Sequence, residues 1–484
     1  MKFCYKETES SIVTGERFND VVQSSILDSN SILQILQDDN FQNEKEIIKF
    51  CDEFNTFWFD CDFADLEEQI RYLLRRTIMI EKMSNFSEIF IEKEIHLTLM
   101  EIVSVFTLEE DNNQTFNPQS KFDLLDYIEA GQSILDESYK ALNFISYYSD
   151  KIADSVISTD ITSNYNIIDV ICTNVMDKYS ELTRISALFF LGGIVKHDKT
   201  LLKLAQYPNF LKFLLNDFVS VGPIERLRPV VYLASKIARR SDNPNTNCFK
   251  EDLMNIFFFS FGNAPDLIND TICGTFYLIY NNQNLIFNPT TEVIIANTLN
   301  NNDQFVIYFL IQILKICNMN LPNERLFSIY SHVDFQCFNA YMKINEPIFF
   351  ATANFFNSLF QNGSQFIQLC GVNFDCLFQG YSDASIEIKA ALLNTFDIAF
   401  IEADKNQLAY FLQKNYDDII FDKIDSQEQI DLCLDAIIAI ANFNQDRIKD
   451  HQELYDVLIQ PDIIKEDEIE TMKKASYILS ILSS

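Results

Sequence analysis

Residues 186–199 read SALFFLGGIVKHDK, a segment that would be apolar on nearly every face of a helix and that closes in a polar turn. A helix that is apolar all round must be buried on all sides, so the segment predicts a central helix with others packed around it. Six later stretches have the same character: RPVVYLASKIARRS (228–241), TICGTFYLIYNNQ (271–283), YFLIQILKICN (308–318), FFATANFFNSLFQN (349–362), AALLNTFDIAFIEAD (390–404) and CLDAIIAIANFNQD (433–446).

These stretches recur at a regular spacing. One late apolar position in each serves as a marker: Ile194, Ile237, Ile279, Ile316, Leu359, Phe400 and Ile440. Successive markers lie 43, 42, 37, 43, 41 and 40 residues apart. Segments between the markers, such as 201–218 and 408–416, carry a one-sided apolar stripe instead. The pattern predicts repeated units of about 40 residues, each with a central helix and flanking amphipathic helices.

Residues that favour tight turns are scarce. Glycine and proline each account for 10 of 484 residues, about 2% against usual levels of about 7% and 5%. This scarcity disfavours sandwiches, barrels and glycine-cradled nucleotide folds, and no alternating strand pattern competes with the helical one. Pro229 and Pro347 are predicted at the starts of marker helices, and Asn288–Pro289 has the same pattern of an N-cap followed by a first-turn proline. We therefore predict an all-α fold.

The repeated unit also has small residues inside its central helix, namely Ala187, Ala234, Gly274, Ala353, Ala391 and Ala436. With its length of about 40 residues, it resembles the armadillo/HEAT superfamily of α-solenoids. The resemblance is at the level of the fold and points to no particular member. It implies a right-handed superhelix of stacked helices whose concave surface binds a peptide or another protein.

Three segments are predicted along the chain. Residues 1–18 are polar and predict a disordered tail. Residues 19–160 are helical in pattern but irregular, and they form either divergent repeats or a separate capping bundle. Residues 161–484 are predicted to form the armadillo-like repeats. An atypical first segment is expected on physical grounds, because the terminal repeat of a solenoid needs a polar outer face.

The sequence offers little for catalysis. It has only four histidines, and it contains no phosphate-binding loop, dinucleotide fingerprint, zinc-protease motif, nucleophile elbow or kinase motif. The pair Gly192–Gly193 lies in an apolar helix and predicts close helix packing rather than a phosphate turn. The acidic stretch 417–425 lacks the glycine and the final Glu of an EF-hand, so we interpret it as a solvated face. We expect no catalytic residue, no cofactor and no metal.

The cysteines and the apolar segments indicate where the protein resides. The eleven cysteines include no C-x-x-C pair, and most lie in apolar helical stretches, so we expect buried free thiols in a reducing compartment. The longest clean apolar stretch, Ala187–Val195, is nine residues, well short of a membrane span. We expect a cytoplasmic protein, with the nucleus as an alternative, and no insertion into a membrane.

The charge is strongly uneven. The chain has 37 Lys and Arg against 70 Asp and Glu, a formal charge of −33. Residues 1–160 have 13 basic and 32 acidic groups, and residues 261–484 have 12 and 29, whereas residues 181–240 have 10 and 4. We call residues 184–240 the basic segment. Its candidate partner-binding residues are Lys196, Lys199, Lys203, Arg226, Arg228, Lys236, Arg239 and Arg240.

Two interpretations of the basic segment remain open. Its residues lie either on solvated faces, paired with acidic neighbours, or in a docking site for an acidic segment of a partner. Nucleic acid is not expected as a partner, because a charge of −33 repels phosphate backbones. The favoured function is a non-catalytic scaffold or adaptor that binds other proteins on its concave face. The alternative is a transport-receptor-like or enzyme-regulatory subunit that binds basic cargo through its acidic surface.

Overall fold

The computed structural model describes most of the chain after residue 43. The described residues are 44–57, 66–71, 86–107, 124–161, 165–175, 179–221, 224–299, 301, 303–331, 333–422, 430–449, 451, 453–459 and 469–483. Within them, every regular element is an α-helix or a short 3-10 helix, apart from one isolated β-bridge between Asp160 and Asn166. The predicted all-α fold is confirmed. None of the described helices is both long and apolar enough to cross a membrane. The predicted tail, 1–18, lies outside the described residues.

The described residues up to Asn281 form a first compact unit. Its helices are α1 (Glu44–Phe57), α2 (Phe86–Glu92), α3 (Ile95–Thr107), α4 (Leu124–Tyr148), α5 (Asp150–Ser158), α6 (Ile167–Asn174), α7 (Glu181–Ile194), α8 (Asp198–Leu204), α9 (Phe210–Val221), α10 (Ile224–Ala238), α11 (Lys250–Asn263) and α12 (Ile268–Asn281). Residues 66–71 are also helical. Helix α7 packs against α4 and α10, and α10 packs against α12, so the central helices form a stack.

The described residues from Asn282 onward form a second compact unit. Its helices are α13 (Pro289–Thr298), α14 (Gln304–Asn320), α15 (Asn323–Tyr330), α16 (Gln336–Tyr341), α17 (Glu346–Phe360), α18 (Ser364–Leu369), α19 (Gly371–Asp383), α20 (Ile386–Glu402), α21 (Lys405–Gln413), α22 (Asp417–Asp422), α23 (Ile430–Phe443), α24 (Gln445–Lys449), α25 (Glu453–Leu458) and α26 (Ile469–Leu482). Here α14, α17, α20, α23 and α26 stack in that order.

The marker residues occupy the core of these stacks. Six of the seven are fully buried, and Ile316 is buried with a small exposed fraction. Each lies near the C-terminal end of its helix. The seven central helices of the predicted repeats are therefore confirmed as buried helices.

Hydrogen bonds donated by side chains link neighbouring repeats, and in most of them the donor belongs to the later repeat. In the first unit they include Lys196 Nζ to Asp150 Oδ1 (2.5 Å) and Asn281 Nδ2 to Ser241 Oγ (3.0 Å). In the second unit they include Asn318 Nδ2 to Ser358 Oγ (2.9 Å), Thr395 Oγ1 to the Ala353 carbonyl (3.0 Å), Gln407 Nε2 to the Ser364 carbonyl (2.8 Å) and Lys474 Nζ to Asp435 Oδ2 (2.8 Å). These bonds join residues 39 to 46 apart, so they link equivalent points of adjacent repeats.

Two of the three predicted helix starts are confirmed. Asn288 caps α13 by accepting a bond from the Thr290 amide (3.0 Å), and Pro289 follows as the first helical residue. Pro347 lies in the first turn of α17. Pro229 does not fit the prediction, because α10 begins at Ile224 and contains the proline in its interior. The helix extends upstream through residues 224–228, so Pro229 removes one internal hydrogen bond instead of opening the helix.

The described cysteines are free thiols. The buried ones are Cys51, Cys273, Cys317, Cys370 and Cys433. Cys370 is fully buried, and burial raises the pKa of its thiol. For the described cysteines, the prediction of buried free thiols is confirmed at these five positions.

Candidate partner-binding surface

The basic segment lies on helices α7 to α10 of the first unit. Its basic side chains fall into three groups. One group pairs with acidic side chains of neighbouring helices, a second lines a cleft between α7 and α10, and a third surrounds one acidic residue of α12. The groups differ in how much positive charge they leave for a partner.

Lys196 and Arg240 belong to the first group and lie at the C-terminal ends of α7 and α10. Lys196 Nζ donates to Asp150 Oδ1 (2.5 Å), and this bond lowers the pKa of Asp150. Arg240 donates to the Lys196 carbonyl and to the Asp198 carboxylate. Both basic side chains therefore join one repeat to the preceding one, which is a structural role.

Lys199 and Lys203 lie on α8 and also face the preceding repeat. Lys199 Nζ donates to Ser158 Oγ (2.9 Å). Lys203 Nζ donates to Asp169 Oδ2 (3.2 Å), and Tyr207 Oη donates to the other oxygen of the same carboxylate (3.1 Å). Asp169 is buried, so these two donors compensate its charge. This half of the basic segment is largely neutralised by internal partners.

The second group lines a cleft of about 140 Å³ between the start of α7 and the middle of α10. The lining residues are Glu181, Arg184, Ile185, Leu188, Arg226 and Pro229. Leu188 and Pro229 are buried, whereas the side chains of Arg226 and Glu181 are 28% and 45% exposed. The cleft therefore has an apolar floor and charged groups toward solvent.

Arg226 and Glu181 form a bidentate pair at this cleft. Arg226 Nε and Nη2 donate to the two carboxylate oxygens of Glu181, at 2.7 and 2.6 Å, which lowers the pKa of Glu181. An arginine carries five N–H donors, and this pair uses one from each of two nitrogens. Arg184 donates to Asp217 of α9. Each guanidinium group at the cleft therefore has a carboxylate partner, Glu181 for Arg226 and Asp217 for Arg184.

The position of α7 at the cleft is fixed by its N-terminus. Ser180 caps the helix by accepting from the Thr183 amide (3.3 Å). The Ser180 amide donates to Gln132 Oε1 of α4 (2.8 Å), and Thr183 Oγ1 donates to the Gln132 carbonyl (2.8 Å). Because both bonds tie the first turn to α4, the cleft residues that follow on α7 are held on a rigid element.

The third group surrounds Asp270 of α12. Burial raises the pKa of Asp270, and Arg239, Lys236 and Arg228 act against that rise in this order. Arg239 Nη2 lies 3.1 Å from Cys273 Sγ. Burial, and then the nearby Arg239, lower the pKa of Lys236 to about 7. Three basic residues therefore act electrostatically on one carboxyl group.

The eight predicted residues do not converge on a single point. The structure places Arg226 in the cleft, groups Arg228, Lys236 and Arg239 near Asp270, and places Lys196, Lys199, Lys203 and Arg240 against earlier helices. The lining also includes Ile185 and Leu188, which sequence reasoning assigned only to a buried helix. Their place in a cleft depends on how α7 and α10 cross, and the sequence carries no direct signal of that crossing.

An acidic cluster in the second unit meets the geometric requirement for a metal site. One ligand atom each from Asp417, Asp418 and His451 lies within 4.8 Å of the others. Arg447 Nε donates to Asp417 Oδ2 (2.6 Å), however, and Asp417 is fully buried. The interpretation of this stretch as a solvated acidic face is therefore wrong for Asp417. Its side chain is buried, and its charge is compensated by Arg447, a cation 30 residues later in the sequence.

Comparisons with known proteins found similarity to solved structures only. No protein-family model matches the sequence, and no curated protein matches it. A solved structure of an engineered protein, from the Northeast Structural Genomics Consortium, is similar with a TM-score of 0.57 and 11% identity, over 90% of this chain and 99% of that chain. A designed armadillo repeat protein is similar with a TM-score of 0.32 and 12% identity, over 57% of this chain and 98% of that chain.

The first of these likenesses concerns the fold alone. Together with the buried central helices and the bonds between residues about 40 apart, it defines the class. The chain is an all-α protein built from stacked helical repeats.

Proposed function

We propose that this protein is a non-catalytic interaction scaffold that binds an acidic segment of a partner protein at the cleft between α7 and α10. The observation that carries the proposal is the composition of the cleft: an apolar floor with two guanidinium groups and one carboxylate around it. The fold supports it as well, since stacked helical repeats present extended surfaces for partners.

The size of the cleft limits its occupant to one side chain. A cavity of about 150 Å³ holds a molecule the size of benzene, so about 140 Å³ suits one aliphatic or aromatic side chain. A neighbouring Asp or Glu of the same segment would accept hydrogen bonds from the N–H groups of Arg226 that Glu181 does not use. The preferred ligand is therefore an apolar residue flanked by acidic residues.

The surrounding charge favours the same partner. Residues 181–240 carry 10 basic and 4 acidic groups in a chain with a formal charge of −33. An acidic segment approaching this chain is repelled from most of its sequence and attracted to the basic segment, which raises the rate of productive encounters. Arg228 and Lys236 contribute to this attraction on α10, the helix that lines the cleft, and Arg239 contributes directly after its end.

The test uses the full-length protein and a fluorescein-labelled peptide, Asp-Asp-Leu-Asp-Asp, in a polarisation titration at low salt. Replacing Arg184 and Arg226 together by Ala should weaken binding at least tenfold. Glu181→Gln should strengthen it, because it removes a negative charge from the cleft and replaces one of the two oxygens that accept from Arg226 by an NH₂ group. Lys212→Ala removes a charge from the same segment without touching the cleft, and it should change the affinity less than twofold.

Salt dependence and the apolar residue supply the remaining checks. Raising the ionic strength from about 50 to about 300 mM should weaken binding, because exposed charges are screened over shorter distances. A peptide with Gly in place of Leu should bind more weakly. Equal binding by the wild type and the Arg184→Ala/Arg226→Ala variant, with both folded by circular dichroism, would contradict the proposal.

A second function is favoured by the charge of the second unit. Residues 282–484 carry 12 basic and 27 acidic groups, so this unit attracts basic segments. In this alternative, the protein is a transport-receptor-like or enzyme-regulatory subunit that holds basic cargo. A labelled Lys-Lys-Leu-Lys-Lys peptide distinguishes the two: tight binding of this peptide, unaffected by Arg184→Ala/Arg226→Ala, would support basic cargo over the acidic ligand.

A further inference from the structure

Asp397 of α20 is a carboxyl group buried in the second unit without a hydrogen-bond partner. Its side chain is fully inaccessible to solvent, and within the described residues neither carboxylate oxygen has a hydrogen-bond partner. Burial alone raises its pKa to about 8. Leaving an ionised carboxylate in such a place is among the costliest arrangements in a protein interior.

The repeat register shows that this position belongs to the core. Asp397 lies three residues before the marker Phe400. The residues three before the other six markers are Leu191, Ala234, Phe276, Ile313, Phe356 and Ile437. All six are apolar and all six are buried. Asp397 therefore places a titratable group where every other repeat of the series has an apolar side chain.

No cation of the helices around α20 is bonded to Asp397, since neither of its carboxylate oxygens has a hydrogen-bond partner within the described residues. Helices α17, α18, α19, α22 and α23 pack against α20, and α21 contacts it through Phe411, whose ring centroid lies 5.2 Å from that of Phe400. The described charged side chains of these helices are Glu346 on α17, Asp375 and Asp383 on α19, Lys405 on α21, Asp417 and Asp418 on α22, and Asp431 and Asp435 on α23; Lys405 is exposed. Their other titratable side chains are Cys376, Tyr381, Tyr410 and Cys433. A deprotonated Asp397 would thus be a buried charge with no bonded cation.

The charges on α20 itself do not compensate either. Glu387 and Glu402 are exposed acids near its two ends. Lys389 lies eight residues before Asp397, roughly 12 Å along the helix axis. Its Nζ lies 5.7 Å from the centre of the Tyr381 ring. The remaining way to neutralise the carboxyl group is a proton.

We propose that Asp397 is a proton-dependent weak point in the second unit, and that loss of its proton loosens the packing of α20 against α17 and α23. In this view the repeat closes fully around the neutral acid and opens locally when the acid ionises. The proposal is independent of the cleft in the first unit, and it assigns the second unit a stability that depends on pH.

The direction of the effect follows from proton binding. An unfolded or opened Asp has a pKa near 3.9, so the closed state binds the proton more tightly than the open state does. The stability gained from the neutral carboxyl group is complete below about pH 4. It is lost as the pH rises toward about 8, where the closed state also releases the proton.

The experiment compares the full-length wild type with Asp397→Asn, which has nearly the same shape but cannot ionise. Hydrogen exchange of peptides from α17, α20 and α23 is followed by mass spectrometry from pH 5 to 9 and corrected for intrinsic exchange. The ratio of protection, Asn variant over wild type, should rise about tenfold per pH unit between about pH 5 and 7.5 and then level off. Glu387→Gln, an exposed acid on the same helix, is the control and should stay within twofold.

The same measurement can overturn the proposal. A ratio that does not change with pH means that Asp397 does not exchange its proton on opening. Protection that is lower in the Asn variant at every pH means that the carboxylate has a stabilising partner. Asp397→Val, which resembles the apolar residues of the other repeats, supplies a second comparison. This variant should also remove the pH dependence of protection. If the pH dependence remained, it would arise from another titratable group and the proposal would be wrong.

Discussion

Gly192 of α7 and Tyr232 of α10 are packed so closely that a side chain on the glycine would collide with the tyrosine ring. A Cβ atom at Gly192 would lie 2.5 Å from the nearest ring carbon. Tyr232 is buried and its ring lies 5.2 Å from the ring of Phe189, measured between centroids. The predicted role of this glycine in close helix packing is thereby confirmed.

Gly192→Ala is expected to destabilise the first unit by about 1–3 kcal/mol, because the buried tyrosine must move to admit a methyl group. Urea unfolding followed by circular dichroism measures the cost.

The matched control is Gly262→Ala on α11, where the added Cβ would have no neighbour within 4 Å. This exposed helical position should instead gain about 0.5–1 kcal/mol, since alanine is the better helix former. Equal effects at the two glycines would show that helix propensity, not the contact with Tyr232, determines the cost.

Leu359→Ala should cost about 2–5 kcal/mol, because Leu359 is fully buried in α17 and its loss leaves a cavity between stacked helices. In a repeat protein the damage passes mainly to adjacent repeats. Hydrogen exchange should therefore increase in α14, α17 and α20, with α1 to α5 unchanged. A uniform increase over all described helices would contradict a stack with nearest-neighbour coupling.

Arg447→Met should destabilise the second unit by about 3–5 kcal/mol, because it leaves Asp417 buried and ionised without its main cation. Thermal unfolding of the variant provides the measurement. Adding Asp417→Asn to the same chain should recover part of the loss, since the uncompensated charge is then removed.

Asp418→Asn is the control for this pair. Asp418 lies next to Asp417 and is 48% exposed, at 3.5 Å from Arg447 Nη2, so its neutralisation should change stability by less than about 1 kcal/mol. A small effect of Arg447→Met, equal to that of Asp418→Asn, would mean that Asp417 is satisfied by other groups.

The free energy of unfolding of the first unit should increase as the pH rises above neutrality, because Lys236 then loses its proton. Its pKa is lowered to about 7 by burial and by Arg239, against about 10.4 in an unfolded chain. The stability linked to the neutral amine is therefore complete above about pH 10.4 and is lost as the pH falls toward about 7. The unfolding constant of the wild type, relative to Lys236→Met, should fall about tenfold per pH unit between about 7.5 and 10. Lys212→Met, at an exposed lysine, should show no such slope.

The repeats could be predicted because burial is periodic. Residues such as Ile237 and Phe400 are apolar at a fixed spacing, and full burial of both follows from that spacing alone. The start of α10 could not be predicted from Pro229, because charged residues upstream of it continue the helix. Proline marks a first turn only where no helix-forming residues precede it.

The sequence alone did not indicate which buried charges would be paired. Asp417 and Asp397 are both fully buried aspartates of the second unit, yet Asp417 accepts a hydrogen bond from Arg447, whereas neither carboxylate oxygen of Asp397 has a partner within the described residues. Which of them finds a cation depends on how two helices cross, at a separation of 30 residues for Asp417. The cleft between α7 and α10 escaped prediction for the same reason.

The bonds between equivalent points of adjacent repeats also bear on how the chain is made. Asn281 donates to Ser241, and Asn318 donates to Ser358. In each pair the later residue is synthesised only about 40 residues after the earlier one. Short separations in sequence favour fast folding, and domains begin to fold during synthesis from the N-terminus. At 5–20 residues per second, a ribosome supplies one repeat in about 2 to 8 seconds. Each repeat can therefore dock on its predecessor as it leaves the exit tunnel, and the growing end exposes the apolar face of one repeat at a time.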